Sequence, residues 1–197
     1  LLFIPRSSRS RAEIVQALRH IRPATSFRSA YAYDNILYIV AGEVVAAASG
    51  QSWESFVRER IFAPAGMATA VSHEDARFAS PNRAHPHARL DARLRGLGPQ
   101  QRLGEREGLG QVGAPAGGLS WSAKDFARWM QLQLALGAVP DGEGRRLWSE
   151  ATAREMWTPQ VPIAIRAYPA PIEAITPQFS GYGLGWNVQD YRGVRVV

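Results

Sequence analysis

Apolar residues recur at helical spacing in several stretches of the chain, most of them introduced by a residue able to cap a helix. Ser10-Arg11-Ala12-Glu13 is a capping-box pattern leading into Ile14, Val15, Leu18 and Ile21, and Pro23 stops it. The run Ile36 to Ser49 carries one charge, Glu43, and ends at Gly50, which predicts a largely buried helix with a glycine C-cap. Ser52 can cap the next helix, where Trp53, Phe56, Val57 and Ile61 share a face before Pro64 and Gly66 end it. Further on, Ser122-Ala123-Lys124-Asp125 opens an amphipathic helix through Phe126, Trp129, Met130, Leu132 and Leu136, closed by Gly137. Ser149 starts a shorter one reaching about Trp157.

Elsewhere the period is lost. From Ser72 to Gly118, Pro, Gly, His and Arg dominate, so this stretch is expected to be an irregular surface excursion with short strands. The Pro-rich stretch from Thr158 to Gln178 cannot be a long helix. The last residues, GYGLGWNVQDYRGVRVV, alternate around Arg192-Gly193 and predict a β-hairpin whose final strand needs a sheet partner. The chain therefore divides into residues 1–71, helical; 72–118, irregular; 119–160, helical; and 161–197, loop and hairpin. Helices followed by antiparallel strands make it α+β.

Composition narrows the possible functions. The 197 residues are 46% hydrophobic and 10% aromatic, enough for a core. No apolar run approaches the roughly 20 residues of a membrane span, and LLFI is too short for a signal-peptide core, so a soluble segment is expected. The net charge is +6, but the basic residues, all Arg except Lys124, are spread along the chain, densest at Arg6, Arg9 and Arg11 and from Arg89 to Arg106. A nucleic-acid surface gathers its charge on one face with interleaved aromatics, and that pattern is absent. With no cysteine there is neither a disulfide nor a thiolate nucleophile. No cofactor is implied, and composition leaves the oligomeric state open.

The most chemically suggestive stretch is Tyr31-Ala32-Tyr33-Asp34-Asn35. In an extended segment alternate residues point the same way, so Tyr31, Tyr33 and Asn35 would face one cavity. A phenol acts as a base only where neighbouring cations favour phenolate, and a carboxamide beside it can hold a substrate amide or an ammonium. The plainer alternative makes Asn35 the N-cap of the helix from Ile36, with the tyrosines packing at its entrance.

Other constellations are weaker. Ser80-Pro81-Asn82 has the S-x-N form with no helix after it, and Gly118-Leu119-Ser120-Trp121-Ser122 falls one glycine short of a nucleophile elbow, leaving Ser122 as a cap. His85 and His87 with Asp91 lack a clear further metal ligand, so no metal site is expected.

Tyr33-Asp34-Asn35 followed by ILYIVAGEVVAAASGQSWESFVRERIFAPAGM resembles the serine β-lactamase-related family, which includes class C β-lactamases, DD-peptidases and related esterases. PAGGLSWSAKDFARWMQLQL resembles that family's glycine turn into a long helix, and GYGLGW the strand entering its sheet. The resemblance runs from about residue 10 to 190. It implies the β-lactamase/transpeptidase-like fold, of which this chain holds mainly the helical region with a C-terminal hairpin of the sheet. It also implies hydrolysis of amide or ester bonds in a small-molecule or peptide substrate through an acyl-serine, with Tyr33 as general base and Asn35 as substrate-binding residue. By resemblance alone, a periplasmic or secreted bacterial protein is expected.

Two of the family's catalytic elements have no counterpart here. Three positions before Lys124 stands Trp121, so no S-x-x-K exists, and none of His20, His73, His85 and His87 opens an H-[ST]-G. The chain is thus expected to be an interior fragment, inactive alone, with its nucleophile motif elsewhere. The rival reading is a non-catalytic helical scaffold binding a peptide, glycan or acidic partner through its Arg-rich surface.

Overall fold

The computed structural model describes residues 8–89, 98–104 and 110–197. The chain forms two compact units, one of Leu1–Leu18 with Asn35–Asp125, the other of Arg19–Asp34 with Phe126–Val197.

In the first unit, α1 (Arg11–Ala17) has the capping box its sequence promises: the Ser10 hydroxyl accepts from the Glu13 N–H, and the Glu13 carboxylate accepts from the Ser10 N–H at 2.7 Å. The chain winds on through a 3₁₀ turn, Leu18–His20. Helix α2 (Asn35–Ser49) ends at Gly50, whose φ of +70° suits a residue without Cβ and whose N–H donates to Ala46 O.

Contrary to the sequence expectation, α2 is not largely buried. Ile39 and Gly42 are buried, while Leu37, Ala41, Val44 and Ala48 form an exposed apolar stripe. The helix packs on α1, α3 and α6 through its other faces, and apolar character alone does not say which face finds a neighbour.

Helix α3 (Trp53–Val57) is capped by Ser52, passes through a π-helical turn, Arg58–Phe62, and continues as α4 (Ala63–Ala65) to Gly66 at φ +71°. The wide turn takes one extra residue, so the inward position after Val57 is Phe62, buried at 3% exposure, and not the expected Ile61. Arg11 ties the unit together. Its guanidinium donates to both Glu54 oxygens, to the carbonyls of Gln111 and Val112, and lies 3.9 Å from Glu43. Burial would raise the Glu54 pKa, but hydrogen bonds from Arg11 and the backbone, with the charges of Arg11 and His73, hold it below the ordinary value.

The expected irregular stretch contains α5 (Glu74–Ala79), which sequence reading missed because His73, an uncommon N-cap, accepts from Ala76 N–H through Nδ1. It also holds β1 (His87–Arg89) paired antiparallel with β2 (Gln100–Arg102), and α6 (Ala114–Gly117). Asp91 and much of the Arg89–Arg106 region lie outside the described residues.

Helix α7 (Ala123–Leu134) starts where Ser122 Oγ accepts from Asp125 N–H at 3.2 Å. Its buried positions are Asp125, Leu132 and Gln133, whereas Phe126 and Met130, expected on the inner face, are exposed. A charged residue can be buried at 125 because the Thr69 N–H (3.1 Å) and hydroxyl both donate to its carboxylate.

In the second unit, α8 (Glu150–Met156) is capped by Ser149, and the Trp129 and Trp148 rings meet edge-on at 6.0 Å. Strands β3 (Val161–Pro162), β4 (Ser180–Tyr182), β5 (Asn187–Tyr191) and β6 (Val194–Val196) form an antiparallel sheet in chain order. The β5–β6 hairpin turns at Arg192 (φ +52°) and Gly193 (φ +80°), as the alternation predicted. Asp190 accepts from the N–H groups of Phe179 and Gln178 at 2.8 and 2.7 Å; these bonds hold its pKa low and fasten the approach to β4.

Candidate active-site segment

Residues 21–34 form neither helix nor strand, and every side chain from Ile21 to Tyr33 is exposed. With no ladder to hold it, the segment takes its shape from individual contacts. Ser29 closes one turn, its N–H and hydroxyl both donating to Ser26 O. The Tyr31 ring lies against Tyr182 of β4, with centroids 5.2 Å apart and planes inclined at 55°. Burial raises the Tyr31 pKa, and the neighbouring phenols of Tyr182 and Tyr33 add to the rise. Tyr33 is 62% exposed.

Asn35 opens α2 as its first helical residue, within the other compact unit. Its Oδ1 is buried and accepts no hydrogen bond. An N-cap lies outside the helix and accepts from one of the first free N–H groups, so Asn35 does not fill the plainer role that sequence alone allowed. A buried acceptor without a donor costs about 1–3 kcal/mol.

Tyr182 stands on a rigid support. Strand alternation puts Gly181 and Gly183 on the face opposite to Tyr182, both buried against the turn after α8. A Cβ on Gly181 would come within 2.9 Å of Pro159 Cβ, and one on Gly183 within 2.4 Å of Met156 O. The Tyr182 carbonyl accepts from Gln160 N–H at 2.7 Å. The sequence marks GYGLGW as a strand without singling out Tyr182, although its Gly-Tyr-Gly alternation is a signal for it.

The remaining candidates are engaged otherwise. Ser80 ends α5 and its hydroxyl donates to Asn82 O at 3.4 Å. Ser122 caps α7 and receives the Thr69 hydroxyl at 3.0 Å. The His87 ring contacts His85 O through Nδ1 at 2.8 Å, and among the described residues no group of His, Asp and Glu is placed to hold a metal. Among them, too, no helix is long and apolar enough to cross a membrane.

The family model described as Beta-lactamase matches residues 3–197. The unguisins hydrolase ungD' of Aspergillus campestris is 30% identical over 188 residues, 94% of this chain and 31% of its own length. The unguisins hydrolase ungD of Aspergillus violaceofuscus is 27% identical over 94% of this chain and 32% of its own. The chain thus spans about a third of the length of these curated relatives. Among solved structures, an octameric penicillin-binding protein homologue from Pyrococcus abyssi superposes with a TM-score of 0.70 at 17% identity, covering 94% of this chain and 37% of that one. A D-stereospecific amidohydrolase from Streptomyces gives 0.64 at 18%, covering 96% and 48%. These share its β-lactamase/transpeptidase-like fold.

Proposed function

Because the chain belongs to the beta-lactamase family, we propose that it is part of a serine hydrolase cleaving amide or ester bonds through an acyl-serine intermediate, with Tyr33 as general base and Asn35 as substrate-binding residue. The observation that carries this reading is the Asn35 carboxamide, whose buried Oδ1 lacks a donor two residues after the exposed Tyr33 phenol. An acceptor kept unpaired in the free protein suits a donor that arrives with the substrate, such as an amide N–H, or a catalytic ammonium. The phenol two residues earlier can then take the proton of an attacking hydroxyl and return it to the leaving group.

These 197 residues contain no S-x-x-K, so the nucleophile and its lysine come from sequence outside them, and the chain by itself is expected to hydrolyse little. An amide is the bond to test first, after the name of one structural relative, a D-stereospecific amidohydrolase. The test uses the full-length gene product: labelling by a fluorophosphonate or β-lactam probe, then turnover of an aryl ester and an amino-acid amide by wild type, Tyr33→Phe and Asn35→Ala. Undiminished turnover by Tyr33→Phe would remove Tyr33 from the mechanism. A rise in KM for the amide alone is expected of Asn35→Ala.

A further inference from the structure

We propose that Tyr182 is a positioning residue for Tyr33: its ring contact with Tyr31 fixes, from the face of β4, the irregular segment that carries the Tyr33 phenol. The inference rests on the reading of Tyr33 as general base. Three observations converge on it. Residues 21–34 have no strand ladder of their own, so a contact made by one of their side chains bears directly on where the segment lies. Tyr31 makes such a contact two residues from Tyr33 in the chain. Its partner sits in a strand paired on both sides, Val161↔Tyr182 and Tyr182↔Asn187, and pinned from behind by two glycines that leave no room for a Cβ. A base must be held within a fraction of an ångström of the proton it takes, and a strand supplies that where a loop alone does not.

The contact itself is tested in the full-length protein by the rate of tryptic cleavage after Arg28, followed by mass spectrometry. Tyr31→Ala and Tyr182→Ala are expected to speed it about fivefold, as loss of an aromatic pair allows, and Tyr182→Phe to leave it unchanged. Should Tyr182→Ala weaken the sheet, Tyr31→Ala, on the exposed segment, carries the same comparison. Unchanged cleavage in both alanine variants would overturn the proposal without touching the role of Tyr33.

Positioning is then tested by kinetics on the full-length protein. Tyr182→Ala is expected to lower kcat by about tenfold to a hundredfold with KM little changed, Tyr182→Phe to restore it, and Tyr182→Ala to add nothing in a Tyr33→Phe background. An equal loss in both backgrounds would show that Tyr182 does not act through Tyr33. If Tyr33→Phe alone costs nothing, it is the base assignment that fails, while the proteolysis result stands.

Discussion

Gly42 of α2 meets Pro115 of α6 with no space between them: a Cβ at position 42 would lie 2.5 Å from Pro115 Cγ and 2.7 Å from its Cβ. The Pro115 ring thus packs directly against the α2 backbone, and the glycine belongs there for packing.

Gly42→Ala sets two effects against each other. Helix propensity favours Ala by about 1 kcal/mol, while forcing a methyl onto a ring that cannot swing aside costs about 1–3 kcal/mol. Overpacking should win, lowering stability by about 1 kcal/mol or more in urea titration. Gly104, with nothing within 4 Å of its would-be Cβ, is the control, and Gly104→Ala should be near neutral.

Removing one member of the Arg11–Glu54 pair leaves the other charge, on side chains only 14% and 12% exposed, without its partner. Arg11→Ala is expected to cost about 3 kcal/mol, more than a surface ion pair could. The pH dependence has a definite sign. Because folding lowers the Glu54 pKa from 4.5, its contribution is present above 4.5 and is lost as pH falls through the folded value. Glu54→Gln should therefore flatten the acid limb of the stability curve, and an unchanged acid limb in that variant would refute the assignment.

Asp125→Ala withdraws the acceptor from both Thr69 donors in a buried setting. A loss of about 2–3 kcal/mol is expected, and Thr69→Val, which keeps the backbone bond, should cost less. Thermal melts of the two variants decide the order.

At the β5–β6 turn both central residues have positive φ, where Arg192 is strained and Gly193 is not. Arg192→Asn should stabilise by about 0.5 kcal/mol and Gly193→Ala should destabilise by about 1 kcal/mol, since the space around Gly193 is open and backbone strain alone sets the cost. Opposite shifts in Tm are the expected outcome; shifts of the same sign would contradict the turn geometry.

The helix boundaries were legible because they are written locally. Ser10, Ser52, Ser122 and Ser149 each cap the helix their position announced, and Gly50, Gly66 and the Arg192-Gly193 pair turn the chain where expected. Burial was less legible, because it depends on which neighbour arrives. Leu37 and Val44 are as apolar as Ile39 yet exposed, and Asp125 is buried on the strength of Thr69, distant in sequence. In the candidate site, Tyr33 and Asn35 stood out by residue type and spacing. That Asn35 Oδ1 is buried and unpaired, and that Tyr31 leans on a strand residue 151 positions later, are properties of the folded chain.

The π-helical turn at Arg58–Phe62 has a consequence for how this stretch can vary in length. A straight α-helix would span the same path with one residue fewer, so deleting a single residue between Arg58 and Ile61 removes the bulge without breaking the helix. Any single-residue insertion into an ordinary helix there would instead turn every later position by about 100°. Shortening by one is thus the tolerated change here, Phe62, Ala65 and Met67 keeping their inward aspect, and lengthening by one is the change that would turn all three towards water.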